Sequence, residues 1–158
     1  MFRPFALAIL AALVAAAPVQ ARNVLETAED AGAFSILVRA AKATGMIEKM
    51  SEPGPYTLFA PTDDAFGKLP KATLESLFKP EGKAKLMEIV NYHLVAGTIL
   101  SRDVIGKRLE AQTLQGDAIL IDATRGGIMA DTGHVTRADM RAENGVVHVV
   151  DTVLVPKK

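Results

Sequence analysis

No cysteine occurs among the 158 residues. That absence excludes disulfides, a lipid-modified N-terminal cysteine, thiolate metal ligands and thiol nucleophiles together. An apolar core alone must then hold the fold. Charge of one sign is missing as well, since 18 basic residues face 18 acidic ones and like charges never run beyond pairs. Without a basic stripe there is no electrostatic footprint for nucleic acid or an anionic lipid surface. Internal repeats and low-complexity linkers are absent. No G-x-S-x-G elbow surrounds Ser35, Ser51, Ser76 or Ser101, and there is neither an H-E-x-x-H pair nor a phosphate-binding glycine loop. The three histidines, His93, His134 and His148, lie far apart and lack metal-ligand spacing. These absences predict a protein that is not an enzyme, with no metal and no cofactor.

What is present begins at the N-terminus. Arg3 precedes an unbroken apolar run over residues 5–17, followed by Pro18-Val19-Gln20-Ala21, where Val19 and Ala21 suit a leader-peptidase site. The pattern predicts a signal peptide over residues 1–21 and an exported protein, periplasmic or extracellular. The apolar run is shorter than the roughly 20 residues a membrane-spanning helix needs. The C-terminus, Val155-Pro156-Lys157-Lys158, carries no apolar anchoring tail. No permanent membrane anchor is therefore expected. Residues 22–158 are the right size for one domain, with a net charge of about −1 once Arg3 is gone.

Hydrophobic periodicity divides that domain. Phe34, Leu37, Val38 and Ala41 follow helical spacing, and Gly45 is placed to end their helix, one of two or three short ones over residues 23–50. Glu52-Pro53-Gly54-Pro55 breaks the helical pattern, and residues 56–60 read as a strand of aromatic and β-branched type. Thr62, Asp63 and Asp64 are suited to accept the free N–H groups of a following helix. Further helices are predicted around Leu74, Leu77 and Phe78, and around Leu86, Ile89 and Val90. The second half reads as strands. Residues 109–114 and 118–121 flank a turn at Gln115-Gly116-Asp117, and residues 135–140 and 146–150 flank Asn144-Gly145, a pair that supplies positive φ for a tight hairpin. The run Val146-Val147-His148-Val149-Val150 does not alternate, which predicts a strand covered on both faces. Helices first and antiparallel strands second make an α+β domain.

Three segments carry a family resemblance. Gly54-Pro55-Tyr56-Thr57-Leu58-Phe59-Ala60-Pro61-Thr62-Asp63-Asp64-Ala65-Phe66 closely resembles the first signature segment of the fasciclin domain. Asn91-Tyr92-His93-Leu94-Val95-Ala96-Gly97 resembles its central tyrosine-histidine motif, and Asn144-Gly145-Val146-Val147-His148-Val149-Val150-Asp151-Thr152-Val153-Leu154-Val155-Pro156 its second signature segment. The resemblance covers residues 22–158 and implies N-terminal helices packed on an antiparallel sheet wedge or sandwich. It also implies adhesion or protein interaction without catalysis, with a cell-surface or matrix protein or a glycan as partner.

The residues themselves suggest structural roles. Phe59 and Phe66 read as core anchors, Thr62 and Asp63 as helix caps, and His93 and His148, set among apolar neighbours, as core histidines bonded to backbone. In some animal relatives an Asp-Ile pair and the Tyr-His motif are assigned to integrin contact. The matching positions are Asp139-Met140 and Tyr92-His93. The leader looks bacterial, so only the surface position is carried over, with Arg137 and Arg141 flanking the acid. A glycan or small-molecule carrier is the alternative reading, a metal-dependent enzyme a weaker one. A monomer is expected.

Overall fold

A computed structural model describes residues 22–156; the predicted leader lies outside them. The chain opens on three short helices, α1 (Val24–Asp30), α2 (Ser35–Thr44) and α3 (Met46–Ser51). Asn23 and Glu26 form a reciprocal cap at the start of α1: Asn23 Oδ1 accepts the Glu26 N–H at 2.9 Å, and Glu26 accepts the Asn23 N–H at 3.0 Å. Gly45, at φ +73°, ends α2 in the left-handed conformation that costs glycine least. The predicted stripe Phe34, Leu37, Val38 and Ala41 is buried throughout.

Strand β1 (Tyr56–Pro61) follows, then α4 (Asp63–Gly67), α5 (Lys71–Leu77), a 3-10 turn at Pro80–Gly82 and α6 (Lys83–Tyr92). Beyond β2 (Leu94–Ala96) comes a one-turn helix that periodicity did not reveal, α7 (Ser101–Val104). Strands β3 (Arg108–Gln112), β4 (Ala118–Asp122), β5 (Met129–Ala130), β6 (Gly133–Ala142) and β7 (Gly145–Val150) complete the chain. The domain is α+β, as the residue pattern implied.

The seven strands lie in the order β2-β1-β7-β6-β5-β4-β3. The sheet is mixed rather than wholly antiparallel, because β1 and β7 run parallel, with Tyr56 opposite Gly145 and Pro61 opposite Val150. Both are central, and parallel pairs need cover on both faces. They have it. Leu58, Ala60, Val147 and Val149 face a core shared with the helices, whereas Phe59 and Val150 face a second core inside the curled sheet with Tyr92 and Ile121. The curl brings the two outer strands together: Val95 bridges Thr113, and the Leu114 N–H reaches the Leu94 carbonyl at 2.9 Å.

Candidate functional site

The first signature segment joins helices rather than exposing chemistry. Thr62 Oγ1 accepts the Ala65 N–H at 3.1 Å and caps α4 as expected. Asp63 does not cap its own helix. Its carboxylate accepts the Ile36 N–H at 2.8 Å, and its own N–H reaches the Ala33 carbonyl at 2.9 Å, so it caps α2 from across the fold. Phe34, at the N-cap position of α2, has no side-chain oxygen to do this. Phe59 and Phe66 are core residues, 1 % and 2 % exposed.

Tyr92 and His93 are each 1 % exposed, which corrects the expectation that they contact a partner: neither offers surface in the folded chain. His93 Nδ1 lies 2.6 Å from the Ile89 carbonyl, and Nε2 takes the Leu154 N–H at 2.9 Å. A carbonyl only accepts and an amide N–H only donates, so the ring is neutral with its proton on Nδ1. Burial pushes its pKa down to about 4, against a smaller upward pull from the Ile89 carbonyl. The Tyr92 hydroxyl donates to the Asp131 carboxylate, and burial followed by that negative partner raises its pKa. Asp131 in turn accepts the Leu120 N–H at 2.9 Å, tying α6 to β4.

The β6–β7 ladder is interrupted where the sequence placed its recognition pair. Arg137 faces Val149 and Met140 faces Val147, so Ala138 and Asp139 together oppose the single residue His148: a β-bulge, with Asp139 at φ +61°. His148 occupies the gap in the ladder. Its Nδ1 accepts the Asp139 N–H at 3.2 Å, and its Nε2–H donates to the Ile99 carbonyl at 2.6 Å. Burial lowers its pKa. The Asp139 carboxylate, although exposed, accepts the Ser101 N–H at 2.8 Å and the Ser101 hydroxyl. Burial opposes its ionisation, but the two Ser101 bonds prevail and hold its pKa below the usual carboxylate value. Met140 is half-buried against the helix-side core rather than presented outward.

Ser101, Asp139 and His148 thus meet, yet not as a nucleophile, base and orienting acid. Ser101 bonds directly to the acid, while both nitrogens of His148 are held by backbone groups, leaving no imidazole nitrogen free to take the serine proton. Among the described residues no cluster of three or more His, Asp or Glu side chains converges on a point suited to a cation.

At the hairpin tip the expected positive-φ turn is not what Asn144-Gly145 supplies. Asn144 is not in a positive-φ conformation, and Gly145, at φ +159°, is close to extended. Glycine is required there by proximity, since a Cβ would stand 1.8 Å from the Tyr56 carbonyl oxygen. Asn144 turns inward. Its Oδ1 accepts the Val24 N–H at 3.0 Å, its Nδ2 donates to the carbonyls of Met50 at 2.6 Å and Glu52 at 2.8 Å, and its carbonyl accepts the Tyr56 N–H at 2.8 Å. One side chain therefore joins α1, the end of α3 and the hairpin.

Beside this tip runs a groove of about 770 Å³, between the Pro53-Gly54-Pro55 loop and the hairpin, with Asn23, Ser51 and Thr98 completing it. Arg141 and Glu143 stand exposed on its rim, neither in an ion pair nor a side-chain hydrogen bond among the described residues. Sequence reasoning missed Ser101, Asp131 and this use of Asn144. The Asn-Gly dipeptide was the one available signal, and it pointed to a turn type rather than to a side chain with three partners.

The family model described as "Fasciclin domain" matches residues 32–156. The chain belongs to the fasciclin domain family. Among curated proteins, this fasciclin domain is 42 % identical over 141 residues to "Protein sll1483" of Synechocystis sp., covering 89 % of this chain and 77 % of that protein. It is 37 % identical over 135 residues to "Transforming growth factor-beta-induced protein ig-h3" of Sus scrofa, covering 85 % of this chain but only 19 % of that protein. Over 103 residues it is 35 % identical to "Immunogenic protein MPB70" of Mycobacterium bovis, 65 % of this chain and 51 % of the relative. The fasciclin fold also matches a FAS1 domain pair from the insect cell adhesion molecule Fasciclin I, with a TM-score of 0.75 at 19 % identity, over 85 % of this chain and 51 % of that one. Among the described residues no helix is long and apolar enough to cross a membrane.

Proposed function

We propose that this fasciclin domain is an exported, non-enzymatic interaction module that acts as a monomer in adhesion. The partner-contacting surface is the groove at the β6–β7 tip together with the exposed β6 residues Arg137, Asp139 and Arg141. The observation that carries the reading is the pair of exposed rim charges, Arg141 and Glu143, neither in a salt bridge among the described residues, beside an open groove. Exposed charges outside salt bridges orient an incoming surface and set encounter rate and register. By contrast, the polar side chains with the strongest family association are internally engaged: Tyr92 and His93 are buried, and the Asp139 carboxylate is held by Ser101. Export rests on the leader-like residues 1–21. The partner class is a cell-surface or matrix protein.

A glycan or small-molecule carrier is the second reading, favoured by the groove's size, which falls in the usual ligand range of roughly 300–1,000 Å³. Among the described residues no tyrosine, phenylalanine or tryptophan lines it to stack a sugar ring. The test is binding of labelled protein to intact cells and matrix proteins, comparing the parent with Arg141→Glu, Glu143→Lys. Weaker binding by a double variant of unchanged melting temperature supports the surface. Unchanged binding removes it, and a melting shift with glycans but no protein binding favours the carrier.

A further inference from the structure

Asn144 is one of three asparagines in the chain and the only one followed by glycine. In an Asn-Gly pair the unhindered backbone nitrogen of the glycine can attack the asparagine side-chain carbonyl. A bond forms between Gly145 N and Asn144 Cγ, the side-chain nitrogen leaves as ammonia, and water opens the resulting succinimide to aspartate or isoaspartate. No oxidant, reductant or cofactor is consumed. We propose that Asn144 is a latent deamidation site, closed by the fold and opened by unfolding, so that time spent unfolded turns into irreversible loss of the domain.

The folded chain closes the site mechanically. Asn144 is 9 % exposed, with Oδ1 held by the Val24 N–H and Nδ2 held by the Met50 and Glu52 carbonyls. Turning Cγ toward the Gly145 nitrogen breaks bonds to both α1 and the α3 end. Gly145 is itself pressed against Tyr56, with no room for even a methyl group. In the unfolded chain none of these restraints remains, and the dipeptide reacts as any exposed Asn-Gly does.

The product does not fit the same slot. An aspartate at 144 places a carboxylate oxygen where Nδ2 stood, facing two carbonyl oxygens at the 2.6 and 2.8 Å distances of the lost bonds. Acceptor then meets acceptor, and two carbonyls lose their donor. Isoaspartate adds a backbone carbon between 144 and 145, where the Asn144 carbonyl holds the Tyr56 N–H and the chains are already in contact. Either product weakens the folded state, so that repeated unfolding drains the folded population irreversibly.

The test uses the full chain at one mildly alkaline pH, half of it folded and half in guanidinium chloride, with peptide mass spectrometry following Asn23, Asn91 and Asn144. Asn144 is expected to convert in denaturant ahead of the other two, and at least about tenfold more slowly in the folded sample, where reaction waits on opening. After dilution from denaturant, size exclusion separates refolded from non-refolded chains. The refolded pool should be depleted in aspartate and isoaspartate at 144, the other pool enriched. Equal rates in the two samples, or equal modification of the two pools, overturns the proposal. An Asn144→Asp variant that folds with the parent's melting temperature overturns it too, while one that melts lower or fails to fold supports it.

Discussion

The tip and the bulge of the β6–β7 hairpin use the same kind of interaction to opposite effect. At the tip, the polar side chain of Asn144 is buried and gives every hydrogen-bonding atom to backbone from distant segments. At the bulge, Asp139 bonds just as well to Ser101, but in contact with water. A hydrogen bond lost in the interior leaves its partners without a substitute, whereas one lost at the surface is replaced by solvent. The tip should therefore govern whether the domain folds, and the bulge only how one face of it is shaped.

Several measurements would break or sharpen that contrast. Gly145→Ala carries the largest expected effect: with a Cβ at 1.8 Å from the Tyr56 oxygen, β1 and β7 must separate. Loss of more than about 4 kcal/mol, or no folded protein, is expected in urea titration. A near-normal midpoint would show that the central parallel pair can give way. Asn144→Ala comes next, at about 3 kcal/mol, because Val24, Met50 and Glu52 all lose a partner. If its cost matches that of Asp139→Ala, the distinction between tip and bulge fails.

His93→Ala should cost roughly 1–3 kcal/mol by stranding the Ile89 carbonyl and the Leu154 N–H. The same residue gives a pH signature. In the folded chain the His93 pKa is lowered from 6.5 to about 4, and that of His148 is lowered as well. Between those values the unfolded chain binds more protons than the folded one, so stability is full above about pH 6.5 and falls as the pH drops toward 4. Melting temperature against pH should show this decline in the parent and a shallower one in His93→Ala. A parent curve flat across the window would mean that neither ring is held neutral. Asp139→Ala closes the series at about 1 kcal/mol or less. Its clearest readout is faster hydrogen exchange at the Ser101 amide, with the Asn144 contacts unaltered.

The parts of the molecule legible in the sequence were those set by local chemistry. The α2 stripe, the Gly45 stop, the Thr62 cap and the doubly covered β7 follow from spacing and residue type alone. The two histidines were recognisable as core residues because valine, leucine and tyrosine surround them. What escaped depends on which distant segment lies alongside. Nothing near Asp63 reveals that its carboxylate caps α2, 27 residues earlier. Asp139 looks like a free surface acid until the bulge turns it onto Ser101. Its neighbour Met140 looks exposed until the strand's register places it against the helices. The parallel pairing of β1 and β7 was equally hidden, since each strand alone reads the same in either direction.

The join between Leu94 and Leu114 has a bearing on how the protein behaves in a crowd. An open sheet ends in backbone donors and acceptors that recruit strands from neighbouring molecules, the common route from native protein to fibril. Here the residues just after β3 close onto β2, and β3 itself carries exposed Arg108 and Glu110. Copies held close together, on a surface or in tandem, meet a charged edge rather than a flat apolar one on which to polymerise.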